Sequence, residues 1–129
     1  MEDQFSKYDT FSISVASYNT AGCKKPGDLN AWLFPADQEV PDVYVVGLQD
    51  LCGLSTSEMF FSDKVTPKLW NTAVEECMQC VPKVKYQLLK SETSGGQSIL
   101  LFAKKAVQTK VGDIAACTCL GAACLRFKF

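Results

Sequence analysis

Apolar residues in this chain gather into short strand-like runs and one longer stretch at helical spacing. The run 43–48 (V-Y-V-V-G-L) is β-branched and aromatic and is apolar on both faces, as a buried strand is. It ends on Gln49 and Asp50. The run 11–18 (F-S-I-S-V-A-S-Y) has the same design and ends on Asn19. Further strand-like runs lie at 84–91, 98–104 and 122–129. Ser94, Gly95 and Gly96 signal a turn, which predicts a hairpin with a longer loop over 92–97.

Between these runs the spacing turns helical. Asp28 is placed to cap a short helix carrying Leu29, Trp32 and Leu33, which stops before Pro35. Ser55 and Glu58 have capping-box spacing. Thr66, followed by Pro67, opens a longer helix running to about Cys80. Leu69, Trp70, Ala73, Val74, Cys77 and Met78 form its apolar stripe. The alternation predicts an α/β fold with one mixed sheet and flanking helices, with Val45 and Leu101 in the core. The five strands suffice for most of one sheet, so the face away from the helix 66–80 is expected to stay an open apolar patch. Residues 1–10 read as a polar N-terminal segment, and 11–129 as one domain portion.

Composition narrows the classes. The chain has 129 residues, 47% of them hydrophobic, enough for one core. With 13 basic and 14 acidic residues its net charge is −1, so no basic face for nucleic acid stands out. No run approaches membrane-spanning length, and the polar start lacks the apolar core of a signal peptide. The seven cysteines, an odd number, fit free thiols in a reducing compartment, and the expected location is cytoplasmic. Cys77 and Cys80 sit at helical spacing, whereas Cys117 and Cys119 sit at strand spacing. The second pair lacks the usual zinc-ligand spacing, and cysteine used as a small apolar residue accounts for all four.

Two apolar strands that each deliver a polar residue at their end suggest a shared site, because α/β chemistry often collects at strand C-termini. Asn19 and Asp50 are the candidates, although both residue types are also ordinary turn formers.

Ser17-Tyr18-Asn19, then Asp28-Leu29 with Trp32-Leu33, then P-D-V-Y-V-V-G-L-Q-D over 41–50, resemble in order and spacing the opening of an inositol polyphosphate 5-phosphatase catalytic domain. The resemblance continues more loosely through Trp70, Tyr86, the Gly95-Gly96-Gln97 segment and Ile99 to Phe102, and covers the first part of that domain. It implies an α/β sandwich of the endonuclease/exonuclease/phosphatase type and Mg²⁺-dependent hydrolysis of a phosphomonoester on inositol phosphates or phosphoinositides. By position, Asp50 takes the place of the family's metal-binding glutamate, one methylene shorter, and Asn19 that of a site asparagine. Implied partners are an inositol phosphate or phosphoinositide head group, with peripheral membrane contact and self-association among the expectations.

The chain also departs from the pattern. It contains no histidine, and no other side chain has an unperturbed pKa near neutrality for the family's histidine role. Gly27-Asp28-Leu29-Asn30 spells the family's G-D-x-N signature, but its position opens a helix, so Asp28 is read as a cap and not as a catalytic acid. Leu120 stands where the family has a phosphate-contacting lysine. The resulting expectation is a divergent, truncated 5-phosphatase that is inactive alone and binds Mg²⁺ weakly or not at all. The alternatives are a non-catalytic binding or regulatory remnant and a nuclease relative, the latter disfavoured by the neutral charge.

Overall fold

The computed structural model describes residues 10–23, 26–51, 65–94, 96–119 and 122–128. In chain order these form β1 (Ile13–Asn19), α1 (Asn30–Leu33), β2 (Val43–Gln49), α2 (Val65–Gln79), β3 (Tyr86–Ser94) and β4 (Gln97–Lys104). A 3-10 turn at Gln108–Lys110 then leads to β5 (Gly112–Cys119) and β6 (Ala122–Lys128). Four strands make a mixed sheet of order β1-β2-β4-β3. β1 pairs parallel to β2, and β4 runs antiparallel to both β2 and β3. The expected capping box at Ser55 and Glu58, the residue Gly95, Leu120 and most of the N-terminal segment lie outside the described residues.

β2 sits between two partners and is buried from Val43 through Val46 and again at Leu48. Its alternation sends Tyr44, Val46 and Leu48 to one face, where Leu100 and Phe102 of β4 join them. α1 and α2 close that face with Leu29, Leu33, Trp70, Val74, Cys77 and Met78. Buried polar tips find partners: Tyr44 donates to Leu33 C=O at 2.6 Å, Trp70 Nε1–H donates to Cys23 C=O at 2.8 Å, and the Tyr86 hydroxyl donates to Pro41 C=O. Burial raises the pKa of both tyrosines, so each stays a neutral donor.

The helix stripe differs from expectation at one residue. Leu69 is 48% exposed while Trp70, Val74 and Met78 are buried, because the stripe is narrower than the sequence pattern and Leu69 borders a cavity instead. α2 also starts at Val65, one residue before the expected cap Thr66. Pro67 then lies in the first turn, where its missing N–H removes no helical bond. The hairpin loop is shorter than expected as well, since pairing continues to Ser94 opposite Gln97.

A larger correction concerns the other face. The run 122–129 does not extend the main sheet. It forms β6, which pairs antiparallel with β5 into a separate two-stranded sheet. That hairpin lies against β3 and β4. Val43, Val45, Leu101 and Ala103 are buried there against Val111, Ile114, Leu125 and Phe127 among others. Val45 and Leu101 are core residues as expected, but the face is not wholly open. It stays uncovered toward β1, where Ile13 is 47% and Val15 74% exposed. Cys77 lies in α2 on the helical face of the main sheet and Cys80 just past its end, and the side chains of Cys117 and Cys119 lie outside those described.

Candidate functional site

Parallel pairing of β1 and β2 places Asn19 opposite Gln49 in register, and Asp50 follows directly. The two sequence-derived candidates therefore meet at the carboxyl ends of adjacent strands. Asn19 Nδ2 donates to Asp50 Oδ2 at 2.6 Å, and both residues are exposed. Asn19 Oδ1 accepts from Ala21 N–H at 2.8 Å, so its amide is oriented at both ends.

Asp50 is held in an unusual backbone state, with φ 55. That left-handed region is disfavoured for a non-glycine residue, though Asp tolerates it better than most. The surroundings fix it from three sides. Gly22 N–H donates to Asp50 C=O at 2.9 Å, and Thr20 N–H donates to Gln49 C=O at 2.9 Å. Leu51 N–H donates to Gly96 C=O at 2.8 Å, tying the strand end to the β3–β4 turn. The buried Thr20 hydroxyl lies 3.1 Å from Gln49 C=O and 2.9 Å from Asp50 C=O. Gln49 Nε2 donates to Ser17 Oγ at 2.8 Å.

Thr20 is a positioning residue that the sequence pattern passed over, since a Thr after a strand carries no distinguishing signal. A further polar cluster was equally hidden. Asn71 Nδ2 donates to Thr93 Oγ1 (3.0 Å), Ser98 Oγ donates to Asn71 Oδ1 (2.7 Å), and the two hydroxyls lie 2.8 Å apart. With Thr93 donating to Ser98 the ring closes, pinning α2 to the hairpin whose turn holds Leu51.

The G-D-L-N segment leads into α1, but Asp28 is not the expected cap. Leu29 holds the N-cap position and no side chain caps the helix, because Asp28 sits one residue too early and closes a local turn onto Asn30 instead. Asp28 Oδ1 accepts from Asn30 N–H at 3.0 Å and from Asn30 Nδ2 at 2.7 Å, just ahead of α1. The Asn30 N–H bond is the main reason that the Asp28 pKa is lowered. Asp42, the other acid of the 41–50 motif, lies at the opposite end of β2. It accepts from Ser12 N–H at 3.0 Å and lies 3.2 Å from Lys104 Nζ, stapling β1 to β4.

For a hard divalent cation the donor set is thin. Asp50 offers one carboxylate, one oxygen of which is already engaged by Asn19. Among the described residues there is no group of three or more His, Cys, Asp or Glu that could hold a metal ion. The residues described do not by themselves fit a Mg²⁺ site, which normally combines carboxylates with substrate phosphates and waters.

The family model for Endonuclease/Exonuclease/phosphatase family 2 matches residues 16–123. The chain belongs to that family. Its homologues are inositol polyphosphate 5-phosphatases. Inositol-1,4,5-trisphosphate 5-phosphatase 1 of Schizosaccharomyces pombe is 29% identical over 115 residues, covering 88% of this chain and 11% of that protein. Polyphosphatidylinositol phosphatase INP53 of Saccharomyces cerevisiae is 32% identical over 105 residues, covering 81% of this chain and 9% of that protein. Among solved structures, the inositol polyphosphate 5-phosphatase domain of SPsynaptojanin, in complex with inositol (1,4)-bisphosphate and a calcium ion, superposes with a TM-score of 0.74 at 29% identity. The match covers 91% of this chain and 36% of that one. The α/β fold expected from the sequence is the fold of this family, and the chain spans about a tenth of the curated relatives' length.

Proposed function

We propose that this chain supplies the Asn19–Asp50 half of an inositol polyphosphate 5-phosphatase site and that its 129 residues do not hydrolyse phosphomonoesters on their own. The observation that carries the reading is the 2.6 Å Asn19–Asp50 hydrogen bond at the ends of two parallel strands. That constellation matches the polar positions of the family's opening motifs. The substrate class is an inositol phosphate or phosphoinositide head group, met in the cytoplasm or at a membrane surface. The relatives' names span both soluble and lipid substrates.

Inactivity follows from what hydrolysis requires. Water must lose a proton as it attacks phosphorus, and the leaving inositol oxygen must gain one. The sequence has no histidine to serve near neutral pH. A carboxylate held in a hydrogen bond to an amide, with no cluster of acids around it among the described residues, can orient a water or share a cation but does not replace that set. We therefore read the chain as a divergent, non-catalytic unit of a hydrolase family.

The test is phosphate release from inositol trisphosphate and from phosphoinositide vesicles, with Mg²⁺, against a no-protein control. The expected result is no release above control. Release that disappears in Asp50→Ala overturns the inactivity and restores an enzyme. Calorimetry with Mg²⁺ alone should show binding no tighter than about millimolar. A micromolar site abolished by Asp50→Asn contradicts the thin donor set.

A further inference from the structure

The C-M-Q-C motif plays no part in the phosphatase reading. It closes α2: Cys77 lies in the last helical turn, and Cys80 follows the helix end at Gln79. Cys80 N–H donates to Cys77 C=O at 3.2 Å, so the chain keeps its turn across the motif. Helix geometry at this spacing sets the two Cα atoms about 5 Å apart. That lies within the roughly 4.4–6.8 Å that a disulfide spans. Both residues line one open cavity of about 1160 Å³ between α2 and the segment leading into α1, together with Asp28, Asn30 and Leu69.

The two sulfurs differ in setting. Cys80 is exposed, whereas Cys77 is buried and donates its S–H to Asn30 Oδ1 at 3.3 Å. Burial raises the Cys77 pKa, and negative charge at Cys80 or Asp28 would raise it further. One thiol is therefore open to a reagent in solution, and the other waits beside it as a protected neutral group.

We propose that Cys77 and Cys80 form a reversible dithiol–disulfide pair, a covalent modification site on the wall of this cavity that is oxidised by a small disulfide of the glutathione class. The Cys80 thiolate attacks one sulfur of the reagent, the S–S bond breaks, and one glutathione thiolate leaves. Cys77 then gives its proton to solvent and attacks the Cys80 sulfur of the mixed disulfide, releasing the second glutathione. Two protein thiols are oxidised, and one reagent disulfide is reduced to two thiols. Closing the bond removes the Cys77–Asn30 hydrogen bond, so oxidation exchanges a link between α1 and α2 for one within the end of α2.

The experiment exposes the reduced folded chain to glutathione disulfide, quenches with an alkylating agent and maps the peptides by mass spectrometry. In the wild type the segment 77–80 should lose two hydrogens, carry no glutathione and no alkyl group, and return to the dithiol with dithiothreitol. Cys77→Ser should trap glutathione on Cys80. Wild-type chain that keeps glutathione on Cys80 while Cys77 is alkylated overturns the proposal, as does a cross-link from either residue to another cysteine. The wild-type map decides on its own, so the outcome does not depend on a variant that folds poorly. It is also independent of phosphate release, so it stands or falls separately from the phosphatase reading.

Discussion

On one face of the four-stranded sheet, Tyr44, Val46, Leu48, Leu100 and Phe102 lie under two helices. On the opposite face, the same strands present Val43, Val45, Leu101 and Ala103 to a two-stranded hairpin, while Ile13 and Val15 of β1 are exposed. Strand alternation sends comparable residues both ways, so side-chain chemistry does not distinguish the faces. What differs is the covering layer. A 15-residue helix contributes several buried side chains from one stripe. The hairpin packs chiefly on β3 and β4, and a groove of about 350 Å³ lies on the sheet between Val15, Gly47 and Ile99.

Core truncations should separate the faces most clearly. Phe102→Ala removes a fully buried ring from the helical face and should cost about 3–5 kcal/mol. Leu101→Ala, one residue along and facing the hairpin, should cost about 2–3 kcal/mol, toward the lower end for a buried leucine, because the side chains that cover it, such as Ile114, Leu125 and Phe127, are only partly buried and can relax. Urea denaturation midpoints measured under one condition check both. Equal losses would mean that β5–β6 packs as tightly as the helices. A smaller effect belongs to Tyr44→Phe, which leaves Leu33 C=O without its hydroxyl donor. It should lower stability by about 1 kcal/mol without changing the denaturant slope.

The staple at the start of β1 gives the uncovered side a pH signature. The Ser12 N–H bond, with Lys104 assisting against burial, holds the Asp42 carboxyl below its ordinary value of 3.8. A carboxylate whose pKa is depressed by folding contributes stability that is complete above the unfolded value and is lost as pH falls through the folded one. The wild type should therefore lose stability below about pH 4, and Asp42→Asn should flatten that part of the acid limb. Thermal melts from about pH 2.5 to about pH 7 check this. An unchanged acid limb in the variant would mean that the staple does not hold β1 to the sheet.

Most of the main sheet was legible in the sequence because β2 and β4 are apolar on both faces, and so short a run with that composition fits a strand buried between two layers better than a surface element. Asn19 and Asp50 were legible as strand-end polar residues, and parallel register brought them together. β5 was missed because G-D-I-A-A-C-T-C is rich in small residues with weak strand preference, and its pairing with β6 depends on a partner that the local pattern does not name. Thr20 and the Asn71–Thr93–Ser98 ring were invisible for a related reason. Their roles come from contacts between elements distant in sequence, and a lone hydroxyl carries no spacing signal.

The smallest stability effect is expected at Val15, and it sharpens the comparison most. Val15 is 74% exposed on β1, at one end of the strand order β1-β2-β4-β3, with Ile13 beside it on the same face. Replacing it removes little buried area, so Val15→Lys should shift the unfolding free energy by no more than about 0.5 kcal/mol. Its effect on association should be larger. β1 reads I-S-V-A-S-Y-N, with neither charge nor proline to discourage strand pairing between copies. Sedimentation velocity over a range of concentrations should show the wild type associating and Val15→Lys shifting toward monomer, with the two melting alike. If the wild type stays monomeric at every concentration, the uncovered half of this face is tolerated in water as it stands, and the two faces differ in packing but not in exposure to partners.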